Sequence, residues 1–378
     1  TYQIKPFALP IENKLDNICD LAKQPLLLLM LALYDSENND LVNQKAMNRN
    51  ELYNNLIRRF IKRECSRIIK DFSYRDEIEK QKIIEKEMNI LGIIAIGMFN
   101  RKENSITTKQ LEQDLKLYDI HRDYGKSINN ILEESEAIFS KFYFIHSIKT
   151  EVNIIEKGEK KTCVYQFLHN TFCEFLIADF ILKSLIEVIA LVDESENMIW
   201  CEAKTELNDY NHAWVNCIID VPLYTQPVIL EMMVEHLPLA VYNYNLQSSH
   251  NNLSEDVFKK KLMLFVKHQL KMVLTTSNIP VSMLDNKRYN KSNSLLDYIA
   301  VFSLNLVILA SNLCEKGFEF IETDYIEKES KVMMPWNKLI GIWKASIHYN
   351  DLIGLSAVLR TKRENSVVLL TGMNDKNS

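Results

Sequence analysis

The chain has 378 residues, 47% of them apolar and 25% charged, with a formal net charge of −5 at pH 7, a composition that excludes a disordered or fibrous protein. Only eight glycines and eight prolines occur, which argues against glycine-rich phosphate loops and favours a helical fold. Because 50 acidic side chains outnumber 45 basic ones, the overall charge gives no reason to expect nucleic acid as a partner.

Cysteine usage and the apolar stretches indicate the environment of the protein. Seven cysteines occur without a Cys-x-x-Cys pair, which is typical of reduced thiols, so we expect a cytoplasmic protein. The first residues do not form a signal peptide, and the lack of an initiating Met leads us to expect a chain that begins within a longer protein. Three apolar stretches are too short or too interrupted to span a membrane, so we predict core helices at Pro25–Tyr34, Ile90–Phe99 and Leu295–Ser311.

The first hundred residues predict a succession of helices. One covers Asn13–Ala22, and Pro25 opens a second, since proline is tolerated in a first helical turn. A polar loop then ends at Asn50, the expected N-cap, with Glu51 in the first turn. A long helix is expected near residues 76–99. The helix after Asn50 carries one apolar face, formed by Leu52, Leu56, Phe60 and Ile61.

The middle of the chain mixes short helices with strands. A short strand at Ser105–Thr107 precedes helices at 109–118 and 127–140, and strand character follows at 141–149 and 162–169. Three helices with a terminal β-hairpin are typical of a winged-helix domain. A strongly apolar helix is predicted next, near residues 170–191, with Phe172, Phe175 and Phe180 at core spacing.

Beyond residue 192 the sequence alternates between helices and polar loops without a fixed repeat. In the last third, Trp336 and Trp343 are seven residues apart with Leu339 and Ile340 between them, which predicts a buried helical stripe. Helices are predicted near residues 194–207, 211–220, 226–237, 254–275, 294–315, 336–348 and 350–361.

Motif searches name no catalytic residue and no metal ligand. The nearest match to a P-loop, Gly158–Thr162, lacks the upstream glycine and falls in the predicted hairpin turn. Metalloprotease, hydrolase and paired Cys/His spacings are missing from the sequence. Cys163, His169 and Cys173 are close in sequence, but strand alternation and helical pitch would aim them in different directions. We therefore do not expect the chain to be an enzyme by itself.

Two segments are distinctive when taken together. The first is DLAKQPLLLL at Asp20–Leu29, followed by RNELY at Arg49–Tyr53, and the second is FLHNTFCEFLIA at Phe167–Ala178. In content and order they resemble the helical-domain and winged-helix signatures of NACHT-type STAND NTPases, which are molecular-switch ATPases of innate-immune and bacterial signalling proteins. The resemblance covers about residues 1–190. The Walker A and Walker B segments of that family are not in this sequence, so in such a protein they would lie upstream of Thr1.

The resemblance implies a role in binding nucleotide for two residues. The family's helical-domain proline packs against adenine, which corresponds to Pro25, and its winged-helix histidine reaches the β-phosphate of ADP, which corresponds to His169. An imidazole N–H is a suitable phosphate donor, and His169 is placed where a strand meets a helix, so its ring and nearby free N–H groups could face an anion. Two simpler interpretations stay open: Pro25 as a helix start only, and His169 as a structural histidine.

These expectations define a mainly α protein with three parts: a helical domain at 1–75, a winged-helix domain with a small β-hairpin at 76–191, and a helical C-terminal domain at 192–378. The resemblance implies the regulatory half of a NACHT-type switch in bacterial defence or signal transduction. ADP or ATP with Mg²⁺ would be bound together with the upstream domain, the protein would form homo-oligomers on activation, and the C-terminal domain would sense an unknown trigger. The alternatives are a winged-helix DNA-binding regulator and a helical protein-interaction scaffold.

Overall fold

The structure is a computed structural model, and its described part is mainly helical with two small antiparallel sheets. This confirms the predicted fold class at the level of mainly α. The chain forms two compact units: residues 1–95 with 105–176, and residues 96–104 with 177–378. The predicted three-part division stays a prediction. The described residues are 23, 28, 29, 31, 32, 48–69, 71–118, 145–153, 160–192, 212–247, 253–275, 294–326, 334–347 and 352–373.

Helix α1 of the first unit covers Arg49–Ile68 and begins two residues earlier than predicted. Its N-cap is Asn48, not Asn50, because Asn48 and Glu51 form a reciprocal capping box in which each side chain accepts a hydrogen bond from the other residue's backbone N–H. Asn50 is instead a fully buried residue of the first turn. The expected helix at 13–22 lies outside the described residues.

The predicted apolar face of α1 is confirmed, since Leu52, Leu56, Phe60 and Ile61 are all buried. Part of the polar face of α1 is also packed within the first unit. Arg58 forms an ion pair with Glu85 of helix α2, which covers Glu77–Arg101, and also donates to Asn54. This basic side chain of α1 therefore contributes to packing within the first unit.

The sheet of the first unit has three strands in the order β1-β3-β2, all antiparallel. Strand β1 covers Ile106–Thr107, and helix α3 follows at Thr108–Leu117. Strands β2 and β3 form the predicted hairpin, at Ile145–Asn153 and Lys160–Phe167. The predicted helix at 127–140 lies outside the described residues.

Helix α4 covers Asn170–Ala190 and confirms the predicted apolar helix. Phe172 and Phe175 are fully buried, and Phe180 is buried as well. The remaining helices belong to the second unit: α5 at His212–Ile218, α6 at Pro227–Gln247, α7 at Glu255–Thr275, α8 at Leu295–Leu313, α9 at Pro335–Ser346 and α10 at Leu352–Val358.

A second sheet, which was not predicted, lies among the helices of the C-terminal residues. Strands β4 (Phe318–Ile321), β5 (Arg360–Glu364) and β6 (Val367–Thr371) are antiparallel in the order β4-β6-β5. The predicted helix at 350–361 therefore ends at Val358, and its last residues enter β5. Gly317 precedes β4 with a φ of 72°, and a Cβ at this position would lie 2.3 Å from the carbonyl oxygen of Leu370.

Helix α8 forms the core of the second unit and contacts α5, α6, α7 and α9 as well as β4 and β6. It is long and apolar enough to cross a membrane, but 78% of its most apolar stretch is buried inside the protein. Its Asn305 is fully buried, donates to the carbonyls of Ile218 and Val221 and accepts from the N–H of Leu223. The prediction of a core helix at 295–311 is confirmed.

The predicted tryptophan stripe on α9 is also buried. Trp336, Leu339 and Trp343 face the protein interior, and the two indole rings meet edge-on with centroids 5.8 Å apart. The indole N–H of Trp343 donates to the hydroxyl of Ser303 on α8 at 3.0 Å, which satisfies the one polar group of the ring. The stripe is therefore part of the core of the second unit.

Candidate functional site

His169 lies between the end of β3 at Phe167 and the start of α4 at Asn170. Its side chain is half-buried, and its carbonyl accepts from the N–H of Phe172 at 3.2 Å. A residue at this junction is held by the strand on one side and by the first helical turn on the other. The predicted site residue is thus placed by regular structure rather than by a long loop.

The hydrogen bonds of the His169 ring define its chemistry. The Thr171 backbone N–H donates to Nδ1 at 3.2 Å, and the Thr171 hydroxyl lies 2.7 Å from the same nitrogen. Since a backbone N–H can only donate, Nδ1 acts as the acceptor and the neutral ring carries its proton on Nε2. Within the described part of the chain, no group forms a hydrogen bond with Nε2. The ring therefore has one N–H donor directed away from Thr171.

The expectation that free N–H groups surround His169 needs correction. The N–H of Thr171 is bound to the His169 ring, and the N–H of Phe172 is bound to the His169 carbonyl. Two of the orphan donors in the first turn of α4 are therefore used by His169 itself. Any anion at this position would rely on the imidazole N–H more than on the backbone.

The two motifs separated by more than 100 residues meet in the first unit. The ring of Tyr53, from RNELY, lies edge-on to Phe172 with centroids 5.5 Å apart, and 5.9 Å from Phe175. All three rings are fully buried. Edge-on aromatic pairs contribute about 0.5–1.5 kcal/mol beyond their buried area. The helical segment at Arg49–Tyr53 is thereby joined to the turn that holds His169.

Glu174, next to this aromatic cluster, has an opposite charge nearby in Arg49. Burial raises the pKa of Glu174, and the attraction of Arg49 opposes that rise. Burial likewise raises the pKa of Tyr53. The Cys173 thiol has its pKa raised to about 12 by burial and by Glu174, so it is protonated and unreactive at neutral pH. The burial of Glu174 and Cys173 beside the aromatic cluster favours a structural role for both side chains.

Pro25, the second predicted site residue, lies outside the described residues. Its role next to adenine therefore stays a prediction.

Among the side chains that the structure describes, no group of three or more His, Cys, Asp or Glu is placed to hold a metal ion. The side chain of Cys163 is not among them.

A buried polar cluster in the second unit was not predicted from the sequence. His236 on α6 and Asp179 on α4 are joined by a 3.0 Å contact between Nε2 and Oδ1, and Lys183 reaches the other oxygen of Asp179 at 2.7 Å. Burial by itself would raise the pKa of Asp179, but Lys183 and His236 together hold that pKa well below its usual range. The available signal was the spacing of Asp179 and Lys183, one turn apart on a mainly apolar helix.

Comparison with known proteins finds no matching family model, no matching curated protein and no matching solved structure. The candidate site is therefore defined by its own geometry, with His169 at a strand-to-helix junction and Tyr53 packed under the same turn.

Proposed function

We propose that this chain is the regulatory half of a NACHT-type signalling ATPase, closed with ADP and open with ATP, in bacterial defence or signal transduction. The nucleotide with its Mg²⁺ would be held mainly by a P-loop domain outside these 378 residues. Residues of this chain would cover it, with Pro25 against adenine and His169 towards the β-phosphate. The protein would act in the cytoplasm and form homo-oligomers after an unknown trigger acts on the C-terminal domain.

The observation that supports this proposal most directly is the meeting of the two motifs. Tyr53 of RNELY packs on Phe172 and Phe175 of FLHNTFCEF, so these two parts of the resemblance form one packed cluster. His169 at the edge of this cluster has an N–H donor on Nε2. A neutral donor fits a phosphate oxygen, because a hydrogen bond to a charged group contributes about 1.5–3 kcal/mol.

The arrangement of elements around His169 supports a winged-helix domain as part of this proposal. Helix α2, strand β1, helix α3 and the β2–β3 hairpin follow one another, and β1 pairs with β3 to complete the sheet. A DNA-binding regulator is less well supported. Lys116 of α3 forms an ion pair with Glu112 at 2.8 Å, so this helix offers little unbalanced positive charge for phosphates.

In this proposal the switch depends on contacts made in only one state. His169 would donate to ADP when the winged-helix domain is closed over the nucleotide, and the bond would be lost when the protein opens. A ligand shifts a two-state equilibrium only by its differential interaction with the two states. One hydrogen bond of this kind is enough to shift the population by about ten- to a hundredfold.

The test is His169→Ala in the full-length protein. We expect oligomerisation without the trigger to rise by roughly ten- to a hundredfold, because a closed-state bond is removed, while the melting temperature changes little. Mass measurement by light scattering and thermal unfolding would be recorded together. His268→Ala, which removes a half-buried histidine on α7, is the matched control and should leave oligomerisation unchanged. A His169→Ala protein that is destabilised and still monomeric would contradict the proposal.

A further inference from the structure

We propose that Thr171 is the positioning residue of this site: it fixes His169 as the neutral Nε2–H tautomer and so makes the ring a donor to an oxyanion. The inference deepens the proposed function and rests on it for the identity of the oxyanion as a nucleotide phosphate. Its structural part, the choice of tautomer by Thr171, can be tested without any nucleotide.

Two groups of one residue act on one ring nitrogen. The backbone N–H of Thr171 donates to His169 Nδ1 at 3.2 Å, and the hydroxyl oxygen lies 2.7 Å from the same atom. A proton on Nδ1 would point at the backbone N–H, and two donors cannot share a hydrogen bond. The Nδ1–H tautomer and the doubly protonated ring are both disfavoured by this arrangement. The hydroxyl can donate or accept, so the backbone N–H is the group that selects the tautomer, and the hydroxyl can donate to Nδ1 once the Nε2–H form is selected.

The surroundings of the His169 ring also favour its neutral form. Burial lowers the pKa of His169, which favours the neutral form at physiological pH. The charged side chains of the two motifs, Arg49 and Glu174, attract each other, and burial also keeps the Tyr53 phenol and the Cys173 thiol neutral at pH 7. The ring thus stays uncharged, and its donor capacity is set by geometry.

This placement has a consequence for what the site can recognise. A neutral ring that donates from Nε2 binds an acceptor such as a phosphate oxygen, and it does so without gaining or losing a proton. A histidine that had to be charged would lose its ligand as the pH rises through its pKa. Binding through His169 should therefore be insensitive to pH between about 7 and 8, because burial lowers the pKa of the ring and keeps it neutral there.

The experiment is ¹⁵N NMR of the intact chain with labelled histidine, at pH 8 and through a titration. His169→Gln identifies the signals of His169 among the eight histidines. We expect the Nε2–H tautomer in the unmodified chain. Thr171→Val keeps the backbone N–H, so we expect the Nε2–H tautomer to persist. Because the variant loses the hydroxyl as a second donor to Nδ1, we expect a titration midpoint raised by roughly half to one unit.

Two further variants separate a positioning role from a packing role. Thr171→Ser keeps the hydroxyl and should show both the tautomer and the midpoint of the unmodified chain, even if it loses some packing. Thr225→Val removes a hydroxyl that donates to the Pro222 carbonyl and should leave the His169 signals unchanged. If Thr171→Val does not fold, the tautomer of the unmodified chain and the Thr171→Ser midpoint still decide the question.

The outcomes distinguish this inference from the proposed function. An Nδ1–H or charged His169 ring at pH 8, or a Thr171→Val titration midpoint identical to that of the unmodified chain, would overturn the role of Thr171. If the tautomer is confirmed but the full-length His169→Ala protein oligomerises no more than the unmodified protein without the trigger, Thr171 would still position His169. The proposed role of His169 in a nucleotide switch would then be wrong.

Discussion

The ring of Tyr53 lies edge-on to the ring of Phe172, with 5.5 Å between their centroids. The two residues come from segments more than 100 residues apart, and both are fully buried. The contact joins the start of α1 to the first turn of α4, in which Thr171 bonds to His169. The packing of the first unit and the geometry of the candidate site therefore depend on the same pair of rings.

A double-mutant cycle on this pair should measure the contact. Phe172→Ala is expected to lower the free energy of unfolding by about 3–5 kcal/mol, because a buried ring is replaced by a cavity. Combined with Tyr53→Ala, the effects should fall short of additivity by about 0.5–1.5 kcal/mol. Denaturant unfolding followed by circular dichroism provides both values.

The control for this cycle is Phe72, a buried ring of the same unit that makes no ring contact with Tyr53. Phe72→Ala combined with Tyr53→Ala should be additive within about 0.5 kcal/mol. Equal coupling in both cycles would show that the Tyr53–Phe172 contact has no particular role.

The buried pair of Asp179 and His236 should be costly to break. Asp179→Asn is expected to destabilise the protein by about 3–5 kcal/mol, since Lys183 would keep its charge without a carboxylate partner at Asp179. Thermal unfolding should show the lower melting temperature. Lys362→Ala, which breaks an exposed ion pair with Glu364 on β5, should leave the melting temperature unchanged. A tolerated Asp179→Asn substitution would indicate that the cluster is dispensable.

Asp220 should make the second unit more stable at acidic than at neutral pH. Burial raises the pKa of this carboxyl to about 7, against the opposing effect of Arg101 and Lys102, while an unfolded Asp has a pKa of about 3.9. The folded state therefore binds the proton more tightly, and the stability from this group is full below about pH 4 and is lost as the pH rises to about 7.

The measurement compares Asp220→Asn with the unmodified chain between pH 4 and pH 8. Between pH 4 and pH 7, the free energy of unfolding of Asp220→Asn should rise relative to that of the unmodified chain by up to about 1.4 kcal/mol for each pH unit. Asp324→Asn, at an exposed position of the same unit, should follow the unmodified profile. If the free energy of unfolding had the same pH dependence in Asp220→Asn and in the unmodified chain, the pKa of Asp220 would not be raised by folding.

The 378-residue chain alone should not hydrolyse ATP and should bind ADP weakly or not at all. Its sequence contains no P-loop to hold the β- and γ-phosphates, and His169 supplies one donor only. Phosphate release and isothermal calorimetry would test both points. Turnover above a buffer control, or micromolar ADP binding by the isolated chain, would place the nucleotide site elsewhere.

Local patterns predicted much of the fold, because they are decided by neighbouring residues. The apolar face of α1, the β2–β3 hairpin and the Trp336–Trp343 stripe were all visible as periodicity. The cap of α1 was misplaced by two residues because Asn48 and Asn50 are both good caps, and only the reciprocal bonds with Glu51 distinguish them. The alternation Phe318-Glu319-Phe320 after Gly317 was the signal for the second sheet, and it is short enough to be missed among helices.

The site was less predictable than the fold, because its chemistry depends on contacts at atomic range. The sequence pointed to His169 through a motif, but the protonation of its ring follows from the position of Thr171. The pairing of Asp179 with His236 joins residues 57 positions apart, and no spacing rule links them. Pro25 stays a prediction, since it lies outside the described residues.

The side chain of Asn305 has a further consequence for how the second unit folds. It is bonded to three backbone groups of the segment 218–223, which lies more than 80 residues earlier in the chain. This segment cannot separate from α8 without leaving buried donors and acceptors without partners, at about 1–3 kcal/mol for each group. The segment 218–223 and α8 are therefore expected to unfold together. The amide of Asn305 thus makes two distant parts of the chain a single cooperative element.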